Sequence, residues 1–191
     1  MQDPYCYPNS RTLRNKLNIH DNERLHKRER DLSNLRAEEL LNSPIKGHFD
    51  LSHLQKIHAY LFQDVYDWAG EIRTVDIAKG NLFCRCFAIG SESDRIFTEL
   101  KQEKYLKDTT NALDFSKRLA YYFAEINALH PFREGNGRTE REFIRQLAFQ
   151  SNYFLSYAGI TQDDLISASV ASFKLDYAPL EAIILSHLRP L

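Results

Sequence analysis

Twelve consecutive residues, His130-Pro131-Phe132-Arg133-Glu134-Gly135-Asn136-Gly137-Arg138-Thr139-Glu140-Arg141, hold the side chains best suited to chemistry in this chain. His130 closes an apolar helical stretch and precedes a proline, so the helix must stop there. An imidazole fixed at that edge can take a proton near neutral pH. Gly135-Asn136-Gly137 opens the next helix. Its glycines allow a sharp turn and close approach of backbone to a ligand. The unpaired N–H groups of a helix N-terminus bind anions, and successive N–H groups in a turn form a concave nest. Arg138 and Arg141 lie three apart and share a helix face. Two guanidinium forks beside such a nest suit a di- or triphosphate. Glu134 would repel phosphate by itself. It makes sense as a holder of Mg²⁺, which binds through a carboxylate, phosphate oxygens and water. The purely structural alternative makes the glycines a plain turn and pairs the arginines with nearby acids such as Glu140 and Glu142. The order base, acid, nest and guanidinium pair favours a phosphate-binding active site.

These residues need rigid elements on both sides. The segment from Asp114 to Leu129 predicts one helix, with Leu119, Phe123 and Ile126 on one side. Thr139 to about Gln150 predicts another through Phe143, Ile144, Leu147 and Ala148. Upstream, Leu54, Ile57, His58, Leu61, Phe62 and Val65 recur at helical spacing, with Asp50 or Ser52 as cap and Gly70 as stop. His53 and His58 read as helix-face histidines with hydrogen-bond partners. Arg73–Ile77 and Phe83–Phe87 alternate with period two around Lys79-Gly80-Asn81, which predicts a β-hairpin as the chain's one β element. Further helices are predicted at Arg95–Lys104, from Thr161 as cap, and over Leu180–Leu188. The N-terminal stretch to about Leu41 combines an extended start with a charged helix whose Leu25, Leu32 and Leu35 face the core. The fold class is mostly α, with one hairpin laid across a helical bundle.

Composition narrows the function. The 191 residues suit one domain, and 43% apolar with 27% charged residues is the balance of an ordinary globule. A formal net charge of -1 argues against a broad nucleic-acid surface, which needs clustered excess Lys and Arg. No apolar run approaches the roughly 20 residues that cross a bilayer, so no membrane partner is expected. The start, MQDPYCYPNS, lacks the basic and apolar regions of a secretory signal. Cys6, Cys84 and Cys86 are an odd set, read as reduced thiols in a cytoplasm. They lack the further ligands a tetrahedral zinc site requires.

The twelve residues also match, position by position, the pattern His-Pro-Phe-x-(Asp or Glu)-Gly-Asn-Gly-Arg-x-x-Arg. In this the chain resembles the Fic family of protein adenylyltransferases. The segment Val75-Asp76-Ile77-Ala78-Lys79-Gly80 looks like that family's flap. The opening, from Asp3-Pro4-Tyr5 to Leu17-Asn18, resembles the start of bacterial cell-filamentation Fic proteins. The resemblance implies a single Fic domain over 1–191, with a core of about 50–160, an N-terminal helical flank of about 1–48 and C-terminal helices over about 161–191. It implies transfer of AMP from ATP to a Tyr, Thr or Ser hydroxyl of a target protein, with release of pyrophosphate. Under it, His130 is the base and Glu134 the Mg²⁺ holder. Gly135, Asn136 and Gly137 form the anion hole, Arg138 and Arg141 hold the β- and γ-phosphates, and Phe132 anchors the loop. Ile77, Ala78, Lys79 and Gly80 pin the target by strand addition.

Two details refine the expectation. Kinase-like Doc relatives carry Lys where this chain has Gly137, so Gly137 favours AMP transfer over phosphoryl transfer. Many Fic proteins contain a self-inhibiting helix of pattern (Ser or Thr)-x-x-x-Glu-(Gly or Asn), whose glutamate meets the second motif arginine, here Arg141. No Ser or Thr in this chain has Glu four positions on. A small antitoxin supplying that helix in trans is one expectation, and an enzyme limited in another way is the other. The competing readings are a Fic enzyme with another donor (UMP, phosphocholine or phosphoryl transfer) and a catalytically silent nucleotide-binding module.

Overall fold

A computed structural model describes residues 3–109 and 111–191. The first two residues of the expected N-terminal flank lie outside it. Seven α-helices occur among the described residues: α1 (Asn22–Asn42), α2 (Leu51–Phe62), α3 (Ile89–Gln102), α4 (Ala112–Leu129), α5 (Asn136–Gln150), α6 (Gln162–Ser172) and α7 (Ala178–His187). Each contributes to one apolar cluster, with Phe115, Leu119, Tyr122, Phe123 and Ile126 of α4 at its centre. α4 packs on α3, α5, α6 and α7, while α2 bridges α1 and α5. No described helix is long and apolar enough to cross a membrane.

The caps follow local chemistry. Asp21, Asp50, Asn111 and Thr161 each accept a first-turn backbone N–H at the head of α1, α2, α4 and α6. For α2 the cap is therefore Asp50 rather than Ser52, and the helix ends at Phe62, short of Gly70. Along α1 the buried stripe is Leu25, Glu29, Ser33 and Leu40. Leu32 is half-buried against the core, but Leu35 falls off the stripe and is 52% exposed, contrary to its expected inward position.

The hairpin is real but shorter than the alternation predicts. β1 (Ala78–Lys79) pairs antiparallel with β2 (Asn81–Leu82) around Gly80 at φ +80°. Beyond one bond from Phe83 N to Ile77 O, the flanking segments form no further strand pairing, because α4 and the loop after it capture the Arg73 and Cys84 amides. Arg73 N donates to Pro131 O at 2.9 Å, and Cys84 N donates to Ala128 O at 3.0 Å. Cys86–Ala88 coils into a short 3-10 turn that enters α3.

A second β element corrects the expectation of a single one. β3 (Tyr153–Leu155) pairs antiparallel with β4 (Leu188–Pro190), so the predicted terminal helix ends at His187. With only three residues per strand there is no run of alternation to read.

Candidate active site

Two helix ends meet at the site. α4 ends on His130, whose backbone takes the left-handed conformation, φ 45° and ψ 58°. This turn frees Pro131 to leave the helix and fixes the imidazole beside the core. The ring is 8% exposed. Phe83, just after β2, stacks on it at 3.7 Å and 12°. His130 Nδ1 lies 3.2 Å from Asn127 O. A carbonyl can only accept, so Nδ1 carries the proton of the neutral ring and Nε2 keeps its lone pair. Burial, then the Lys79 ammonium, lowers the imidazole to about 4. At neutral pH it is therefore an uncharged base.

The loop between the helices is braced from inside. Phe132 is fully buried and stacks on His58 at 3.9 Å. His58 accepts from Gly70 N at 2.7 Å through Nδ1 and donates through Nε2 to Glu134 O at 3.0 Å. It is a structural histidine, as its place on the helix face suggested. The Asn136 side chain closes a ring with Phe132, accepting from its N–H at 2.8 Å and donating to its carbonyl at 2.7 Å. Only the backbone of Asn136 is left to face a ligand. Gly135 sits at φ +80°, and a Cβ there would lie 2.2 Å from Phe62 Cζ. Both the conformation and the close packing demand glycine.

α5 begins without a side-chain cap. Its first backbone bond runs from Thr139 N to Gly135 O at 3.2 Å, so the N–H groups of Asn136, Gly137 and Arg138 lack intrahelical acceptors. Gly135 N instead donates to Glu134 Oε1 at 2.9 Å. Lys79, in the hairpin, lies 3.9 Å from Glu134 Oε2. Burial raises the Glu134 carboxyl, but Lys79, the Gly135 N–H and Arg138 outweigh it and hold the group below the usual range. The ionised Glu134 carboxylate can supply one ligand to a divalent cation whose other ligands are phosphate and water, since no group of three metal-ligating side chains gathers among the described residues.

The two arginines differ. Arg138 lies 4.7 Å over the Phe62 ring, donates to Ser33 Oγ at 2.8 Å and pairs with the buried Glu29 of α1. Glu29 also accepts from the Tyr66 hydroxyl. Arg141 has no hydrogen-bonding or ion-pair partner among the described residues, and burial lowers its pKa. Glu142 pairs with Arg145 at 2.7 Å, and Glu140 is buried with Oε1 unpartnered. Glu142 is thus committed to Arg145, while Glu140 acts on Arg141 through its charge without a hydrogen bond or ion pair to it.

The structure brings His130, Phe132, Glu134, Gly135, Asn136, Gly137, Arg138 and Arg141 into one turn-and-helix unit, with Lys79 reaching in from the hairpin. Ala78 is the first residue of β1, Gly80 its turn, and Ile77 accepts from Phe83 N at 3.2 Å. Sequence reasoning missed three supports. Arg73 is buried, Glu29 lies inside a charged surface helix, and Asp3 accepts from Arg133 at 2.6 and 2.9 Å. The one available signal was the acid and serine on the α1 stripe, at i and i+4.

A buried neutral imidazole, an uncapped helix N-terminus in the same loop and a hairpin that stacks Phe83 on the ring make a helical site whose chemistry suits a phosphate-bearing ligand. The chain belongs to the Fic/DOC family, whose pattern matches residues 48–148. It is 40% identical over 185 residues to the probable protein adenylyltransferase y4lH of Sinorhizobium fredii, covering 96% of this chain and 95% of that one. It is 44% identical over 172 residues to protein adenylyltransferase VbhT of Bartonella schoenbuchensis, covering 90% of this chain but only 36% of VbhT. Among solved structures, the N-terminal Fic domain of a putative cell filamentation protein from Bartonella quintana, with bound ADP, superposes with a TM-score of 0.92 at 26% identity. That match covers 97% of this chain and 94% of the other.

Proposed function

We propose that the protein is an adenylyltransferase that moves AMP from ATP to a Tyr, Thr or Ser hydroxyl of a target protein. The observation that carries the reading is the buried, neutral His130 imidazole, its Nδ1 engaged by Asn127 O, at one end of the loop whose other end is the uncapped N-terminus of α5. His130 Nε2 takes the proton of the target hydroxyl. The hydroxyl oxygen forms a bond to the α-phosphorus while the bond from phosphorus to the bridging β-phosphate oxygen breaks, and pyrophosphate leaves with that electron pair. Backbone N–H groups at Asn136 and Gly137 bind phosphate oxygens, with Gly135 setting the turn. Arg141 takes the terminal phosphates and Arg138 supplies charge from its docked position. Glu134 would be the protein ligand of a Mg²⁺ ion, which when bound would supply charge stabilisation to the phosphates. Phe132 anchors the loop. Ile77, Ala78, Lys79 and Gly80 present the hairpin edge to the target strand. One Fic domain spanning 1–191, acting in the cytoplasm, is the simplest frame for this activity. An inhibitory helix supplied by a small antitoxin fits the uncommitted Arg141.

The test is incubation with ATP labelled in the α-phosphate, Mg²⁺ and a bacterial lysate, beside His130→Ala. Labelled protein should appear with the wild type and fall at least about 100-fold with the variant, the usual contribution of a positioned base. Label only from γ-labelled ATP, or only from another nucleotide, rejects AMP transfer.

A further inference from the structure

We propose that Arg73 is a positioning residue for the base: its guanidinium locks the stem of the hairpin to the His130 carbonyl, so that hairpin and imidazole move as one body. This deepens the adenylyl-transfer reading and, in its kinetic arm, rests on it.

The fork is used at every end. Nε donates to His130 O at 2.8 Å, Nη1 donates to Val75 O at 2.6 Å, and Nη2 donates to Cys84 O. Val75 precedes β1 and Cys84 follows β2, so one side chain gathers both legs of the hairpin and the end of α4. Two backbone bonds reinforce it, Arg73 N to Pro131 O and Cys84 N to Ala128 O. Arg73 is 2% exposed, and no carboxylate pairs with it among the described residues. A buried cation without an anion is an expensive way to fill space. Three carbonyls and the negative end of the α4 dipole stabilise it here. A left-handed His130 needs such support, because a non-glycine residue seldom holds that conformation unaided. Phe83 stacks on the imidazole one residue before Cys84, so the tie that holds the stem also sets the ring plane. Lysine offers a point charge and cannot span three carbonyls.

Arg73→Lys and Arg73→Gln should retain a cooperative melt. We expect kcat for nucleotide transfer to fall about 100-fold, as for a base displaced by about 1 Å, with KM for ATP within about twofold, since α5 is untouched. Hydrogen exchange at the Cys84 and hairpin amides should accelerate together with that at His130. Unchanged kcat in the folded variants overturns the proposal, and so does loss of kcat that only tracks loss of folded protein. If neither variant folds, exchange in the wild-type protein decides. The Arg73, Cys84 and His130 amides should open with one common rate, and separate openings overturn the lock. A wild-type protein that transfers no AMP rejects the proposed reaction, while the exchange arm still tests Arg73.

Discussion

At the scale of single residues, His130 sets a pH window. Burial and Lys79 hold its imidazole at about 4, so the base stays neutral well below the ordinary histidine range. The rate of transfer should be level from neutral pH to about pH 5 and fall as pH approaches 4. Lys79→Met removes a charge that opposes protonation, so the acid limb should move to higher pH in a pH–kcat profile. A limb near 6.5 in the wild type would show that the site does not desolvate His130. The fold must be monitored alongside. His58 and His130 are both depressed to about 4 from an ordinary 6.5. The unfolded chain therefore binds more protons between those values, and stability falls as pH drops through 6.5 toward 4.

At the scale of elements, α1 docks through polar groups. Its buried stripe presents Glu29 and Ser33 to Arg138, and Tyr66 donates to the same carboxylate. Glu29 is 3% exposed, so removing its charge strands a guanidinium against the Phe62 ring. Glu29→Gln should lower the unfolding free energy by about 3 kcal/mol in urea titration. Glu23→Gln, in the exposed first turn of the same helix, should change it by under about 0.5 kcal/mol. Equal effects would mean that α1 is held by its leucines alone. The same pairing explains why a helix with a mean composition so charged still belongs against the motif: its charges are sorted, with one acid turned inward.

Across the whole molecule, one buried acid, Glu140, directly precedes Arg141 on α5. Glu140 is 3% exposed, and burial raises its carboxyl well above the ordinary 4.5. The folded state then binds more protons than the unfolded one above that pH, so this group makes stability fall as pH rises from about 4.5. Glu140→Gln should remove that component. Thermal melts of the variant should decline less toward neutral pH than those of the wild type, and parallel curves would place Glu140 in contact with water. Arg141 pulls the same carboxyl the other way, against the desolvation that raises it.

The helices and the motif were legible because each has a short-range cause. Apolar spacing marks α2, α4 and α5, a capping aspartate marks where α2 begins, and a proline and two glycines force the turn between α4 and α5. The His130–Arg141 constellation is contiguous, so its chemistry could be read without a fold. The ends of the hairpin were not legible, since the amides of Arg73 and Cys84 are claimed by carbonyls more than forty residues away in sequence. The pairing of β3 with β4 depends on segments that only the packing of α7 brings together. Arg73, Glu29 and Asp3 carry no local sign of their partners. Sequence alone determined which groups could act; tertiary structure decided which of them are neutral, which are already paired and which stay free, because burial and long-range partners set charge states that no local pattern encodes.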